Sequence, residues 1–365
     1  MKNNIIALFM LFLFSINKVN AIEIYNKNNN KLDINAKINI RHSISNAKGN
    51  SGIKIDDIDN SRVRFGVKGD KQIIDDLIGF VNFEYETKIN KGEDNNIVKN
   101  RLSYIGLKFV DLSSIDYGRN YGIIYDISSW TDVLPIWGGD SISQTDTYMT
   151  GRNRNLLTYR NKNGFGYIKG LNLALQYQAK NIENNNNIDL YYRDNCEGYG
   201  ISSTYSIGNG LTLGGSYFNS IRPEMQKIKD FAYDSNAQAW NIGSKLDRNN
   251  LYFAAMYGEA LNVSHFGKTN YIANKTKNTE FVVQYLFDSG LKPSFAFIKS
   301  KCKNLDIYDN KNILKYISIG SYYVFNKNIY MVVDYKINLL KNTDFIKEMS
   351  INTDNLIGLG FSYKI

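Results

Sequence analysis

Past its N-terminus, this 365-residue chain has no apolar run near the ~18 residues that a helix needs to cross a bilayer. Proline is scarce, at 3 residues, and so few breakers favour one large sheet over several helical domains. There are 2 cysteines, Cys196 and Cys302, with no metal or redox spacing, and they are expected to stay unpaired rather than form a disulfide. The 2 histidines, His42 and His265, come without HExxH, GxSxG or CxxC, so hydrolytic and redox chemistries lack their parts. No enzyme, metal or cofactor is expected. The run GNGLTLGG (Gly208–Gly215) lacks the Lys-Ser/Thr ending of a phosphate loop and predicts a hairpin turn entering a strand.

The charge balance is basic, with 44 Lys and Arg against 35 Asp and Glu, a net +9. Those cations are spread along the chain instead of clustered, which argues against nucleic acid and for a surface attractive to small anions.

What is present is β-chemistry and an export address. Tyr and Phe number 27 and 19. Lys2, the apolar stretch Ile5–Ile16 and the small residues around Ala21 predict a signal peptide over residues 1–21, cleaved to leave a single domain over 22–365. Loss of Lys2 and Lys18 with it leaves +7.

Leu32, Ile34, Ala36, Ile38 and Ile40 alternate with Asp33, Asn35, Lys37, Asn39 and Arg41, so one strand face is apolar and the other polar. The same period returns at Val63–Val67, Val81–Tyr85, Leu171–Tyr177, Leu251–Tyr257, Phe281–Phe287 and Ile357–Ile365, with aromatic residues at the strand ends. Locally, a water-soluble sandwich would look alike. The end aromatics match the interfacial girdles of a membrane barrel. Short turns such as Asp288–Gly290 and Asn326–Asn328 suit one rim, and long polar stretches at 88–100, 181–187, 220–236 and 341–354 the other. At about 20 residues per strand and connection, the mature chain accommodates about 16 strands.

Between Tyr121 and Thr150 the alternation fails. This segment is too apolar for a solvated loop, carrying Ile123, Ile124, Trp130, Val133, Leu134, Ile136 and Trp137. Burial against an inner wall would satisfy it.

The stretch DYGRNYGIIYDISSWTDVLPIWGGD (Asp116–Asp140) resembles the constriction loop of the trimeric general-diffusion porins of Gram-negative outer membranes. IEIYNKNNNKLD (Ile22–Asp33), RLSYIGLKF (Arg101–Phe109), LTYRN (Leu157–Asn161), GLNLALQYQAKN (Gly170–Asn181), QYLFDSGLKPSFAFIKSK (Gln284–Lys301) and YYVFNKN (Tyr322–Asn328) resemble that family in the same order. The resemblance implies an all-β, transmembrane antiparallel barrel of about 16 strands, with one long loop folded into the lumen. It implies a homotrimer in the cell outer membrane, in contact with lipid and lipopolysaccharide, passing ions and small hydrophilic solutes by passive diffusion. A mainly structural or adhesive barrel is the alternative.

At the constriction the resemblance sets a basic ladder of Lys37, Arg64, Arg101 and Arg152 across from Asp132, with Tyr121 and Tyr125 at the loop's start and Asp140 at its turn. Arg41 and Lys68 are expected to be solvated lumenal charges, and Leu102 to point outward. Two positions depart from the family pattern. Ile136 stands where a second acid is usual, and Ile365 where the last residue is usually Phe. One unit charge across about 8 Å of water changes ion occupancy about twofold, which predicts a pore less cation-selective than its relatives.

Overall fold

The computed structural model describes residues 22–28, 30–45, 58–92, 94, 97–109, 112–182, 188–229, 234–305, 308 and 310–365. The expected signal peptide therefore lies outside the described residues. Half-polar strands with tight turns build one antiparallel sheet that closes on itself.

The first eight barrel strands are β1 (Asn30–Ser45), β2 (Arg62–Ile74), β3 (Leu77–Lys88), β4 (Val98–Phe109), β5 (Ser113–Tyr121), β6 (Arg152–Asn161), β7 (Leu171–Gln178) and β8 (Gly198–Gly208). The second eight are β9 (Leu211–Ile221), β10 (Asn236–Arg248), β11 (Leu251–Leu261), β12 (Lys275–Tyr285), β13 (Leu291–Lys303), β14 (Asn312–Val324), β15 (Ile329–Asn338) and β16 (Leu356–Lys364). Each pairs with its sequence neighbour, and β1 pairs with β16 from Lys37↔Lys364 to Ser45↔Leu356. Closure leaves no free edge, the condition for a sheet to stand in lipid. Two short pieces, Ile22–Lys27 and Ile58–Asp59, add to the ends of β1.

Connections alternate as the sequence predicts. Residues 75–76, 209–210 and 249–250 make two-residue turns on one rim. Asn209, Gly210, Asn249 and Asn250 all have positive φ, the geometry that matches the twist of a two-residue hairpin. On the other rim, longer stretches carry α2 (Glu224–Lys229) and α3 (Asp344–Glu348), while α1 (Tyr125–Ser128) lies in the segment after β5. The outer stretches are not simply solvated: Phe266, Cys302, Leu305, Phe345, Ile346 and Met349 form a small core of their own. Both thiols are free and buried.

The apolar face points outward. Ile105, Ile242 and Ile319 are 66%, 56% and 50% exposed, whereas their polar strand neighbours turn inward. That rules out the sandwich and gives a barrel whose surroundings must be apolar.

Candidate functional site

The segment after β5 returns into the barrel and seats on the inner faces of β6 to β16. Its Ile123, Ile124, Ile127, Trp130, Leu134 and Ile142 form one core with wall residues Leu156, Ala174, Phe218, Ala239, Ala254, Met256 and Val282. The wall makes room by being small. A Cβ at Gly243 would sit 2.8 Å from Ile127 and 3.3 Å from Trp130, and one at Gly214 would sit 2.5 Å from Ile127. Side chains on the loop fill the hollows that the strands leave.

Polar wall residues satisfy the loop's backbone, which has no ladder of its own. Gln176 accepts from Ile123 N at 2.9 Å and donates to Tyr121 O at 3.0 Å. Asn241 donates to Ile124 O, Tyr252 to Trp130 O, and both Gln284 and Tyr322 to Val133 O. Asp334 accepts from Ile136 N and Trp137 N at 3.1 and 3.4 Å. Glu280 on β12, 2% exposed, accepts from the hydroxyls of both Thr131 and Ser141, so one carboxylate fastens the loop on either side of its turn.

At that turn the Tyr121 and Tyr125 rings stack at 4.4 Å, and the Tyr125 hydroxyl donates to Asp132 at 2.7 Å. Burial raises the Asp132 carboxyl above its ordinary range, while Tyr125 and the charges of Arg152 and Arg41 pull it back. The Tyr125 phenol is also raised, by burial first and by Asp132 second, so it keeps its proton and donates. Gly139, at φ 64°, would place a Cβ 2.7 Å from the Asp132 carboxylate; only glycine fits this turn without strain. Asp140 accepts from Tyr316 at 2.9 Å and lies 3.8 Å from Lys336.

The cations lie across the lumen, on β1 to β6, and Arg62, Arg64 and Arg101 among them are not bare. Arg64 donates to Glu86 at 2.8 and 3.2 Å, and Arg101 donates to Glu84 at 2.6 Å with Glu86 at 3.4 Å. Arg62 stands 3.6 Å from Glu86. Arg152 donates to Thr145, and the charges that bear on it include Arg101 and Arg64. Asp132 forms no ion pair among the described residues; its nearest polar partner is Tyr125. Asp146, which could have stood in for a missing acid, is held by Arg119 at 2.5 Å.

Three points were hidden in the sequence. Glu84 and Glu86 appear there only as polar-face residues, and it is the register Arg64↔Glu86 that makes them partners. Arg41, expected to be solvated, donates to the carbonyls of Pro135 and Ile136 at 3.3 and 3.4 Å. Leu102 does not point outward: a bulge between Glu84 and Tyr85 brings it opposite Glu84, 8% exposed, and leaves Arg101 as the extra residue aimed at the two glutamates. Ile136 keeps its side chain against the wall, where a Cβ on Gly358 would lie 2.6 Å from its Cδ1.

The family model for Gram-negative porins matches residues 27–365. Outer membrane porin F of Xenorhabdus nematophila is 48% identical over the full length of both chains, and outer membrane protein F of Serratia marcescens is 44% identical, also over both. The solved structure of Salmonella typhi OmpF in complex with daunomycin superposes with a TM-score of 0.85 at 38% identity, covering 94% of this chain and all of the other. Vibrio cholerae OmpT, at 12% identity and a TM-score of 0.64, shares the fold.

Proposed function

This chain belongs to the Gram-negative porin family, and from that membership we propose that its seated loop and the charged wall opposite form the constriction that decides which solutes cross. The barrel is an outer-membrane general-diffusion porin and not an enzyme. The constriction comprises Lys37, Arg64, Arg101 and Arg152 on the wall, with Tyr121, Tyr125, Asp132, Ile136 and Asp140 on the loop. Width sets the size cutoff, and the transverse field between Asp132 and the cations orients polar solutes.

The observation that carries this reading is the loop's attachment. Its backbone is hydrogen-bonded to side chains from β7, β10, β11, β12, β14 and β15, which supports a fixed aperture over a free flap. Among the loop's carboxylates Asp126, Asp140 and Asp146 are ion-paired, which leaves Asp132 as the unpaired one among the described residues, and Ile136 is apolar where the family usually carries a second acid. Selectivity therefore leans away from cations. Reversal potentials across a planar bilayer under a KCl gradient test it: the expected ratio is near unity or favours chloride, and a strong potassium preference overturns it.

The transported class is small hydrophilic molecules and ions, moving passively. Liposome swelling with sugars of graded size should show influx that falls with size; no influx would favour a mainly adhesive barrel, a reading that nothing else supports. The functional unit is a homotrimer in contact with lipid and lipopolysaccharide, supported by the family resemblance and by the continuous apolar outer face. Light scattering of the detergent-solubilised protein before and after heating measures it directly.

A further inference from the structure

We propose that the lumen holds a seat for dianionic oxyanions, the phosphate group of small phosphorylated solutes, formed by Lys37 and Lys364 around the ring of Tyr330. Lys364, on β16, is directly opposite Lys37 in register, and Lys37 is directly opposite Arg64 on β2, so three cations form one row across three neighbouring strands. Like charges directly opposite repel, and a sheet offers no way to turn one of them to the other face. Arg64 is compensated by Glu86 at 2.8 Å. Lys37 and Lys364 are not: the charges that bear most on Lys37 are Lys364, Arg41, Arg64 and Arg62, all positive, and neither lysine has an ion-pair partner among the described residues.

In place of a counter-charge there is an aromatic face. The ammonium groups of Lys37 and Lys364 stand 5.5 and 5.4 Å from the centroid of Tyr330. A second ring, Tyr322, lies 5.8 Å from Tyr330 and has Lys292 over it at 5.3 Å, with Asp247 the acid that bears on that third lysine. Two uncompensated ammonium groups converging on one ring are a receptor for a group with two negative charges and several acceptor oxygens. A phosphate monoester, whose second pKa is about 6, offers both at neutral pH, and a single chloride offers neither. Along β1, Lys37 lies four residues from Arg41, about 13 Å nearer the short-turn rim. The seat thus shares Lys37 with the constriction and carries its row of cations on to Lys364 on β16 and the ring of Tyr330 on β15, so a solute meets it in crossing. It rests on the diffusion reading only for that access.

The test uses the whole protein in planar bilayers with inorganic pyrophosphate and glycerol phosphate as probes, alongside calorimetric titration of the same probes in detergent, which needs no conduction. Both probes should reduce the KCl current saturably where acetate does not. Lys364→Gln should raise the half-effect concentration and the calorimetric Kd about tenfold, and Lys364→Arg should restore both. Unsaturable effects, or identical Kd values for the native protein and Lys364→Gln, overturn the seat even if the chloride-to-potassium ratio shifts. A channel that fails to conduct sinks the diffusion reading, and calorimetry then decides the seat alone.

Discussion

The two sides of the lumen are built by opposite rules. Behind the loop, the inner faces of β7 to β13 carry Ala174, Gly200, Gly214, Ala239, Gly243, Ala254, Gly258 and Ala296, side chains so short that another layer of protein must cover them. Opposite, β1 to β4 carry Lys37, Arg41, Arg62, Arg64, Glu84, Glu86 and Arg101, long charged groups that fill their own space. One wall is a socket, and the other is a working surface. Narrowing a barrel therefore needs not only a long loop but a wall emptied to receive it, because an interior at native density has no room for both.

The largest effect should come from refilling the socket. Gly243→Leu puts side-chain atoms where Ile127 and Trp130 now lie, and overpacking of that kind costs about 1–3 kcal/mol, enough to unseat the loop. Larger sugars should then enter in liposome swelling; an unchanged cutoff would mean that the loop can sit without its socket. Next in size is Asp334→Ala, which removes the acceptor of Ile136 N and Trp137 N, each bond to a charged group being worth about 1.5–3 kcal/mol. Single-channel records should become noisier while the mean conductance stays within about twofold, and a quiet trace would assign the tip's stability to Arg41 instead.

Ile136→Glu changes the charge of the loop itself, at a side chain that lies against Gly358. It adds one negative charge near the Asp132 turn and should shift the chloride-to-potassium ratio about twofold toward potassium, read from reversal potentials. A null result would place the residue outside the field of the permeating ion. The smallest effect is that of pH on Asp132. Burial raises this carboxyl, so it takes up its proton at a higher pH than an exposed aspartate. Lowering the pH should remove the loop's negative charge early and move the ratio toward chloride, a shift that Asp132→Asn should abolish.

Much of this contrast is legible in the amino-acid sequence. Alternation in Leu32–Ile40 and Ile357–Ile365 states the two faces of each strand because the side-chain period is two, and the apolar segment from Ile123 to Trp137 states that it needs cover. What could not be read depends on register. The pairing of Arg64 with Glu86 joins residues on different strands, and the bulge that turns Leu102 inward leaves no mark on a period of two. The socket was missed for a different reason: glycine and alanine on an inner face are unremarkable one at a time, and their meaning is collective.

Glu280 adds a consequence for how such pores diversify. By holding Thr131 and Ser141 at one carboxylate, it ties the intervening residues into an eyelet of fixed circumference. Residues on the eyelet, Ile136 among them, can then be exchanged one at a time without loosening the knot that sets its size. Calibre and charge become separate inheritances, and a lineage can retune what its outer membrane admits while leaving the sieve's mesh unchanged.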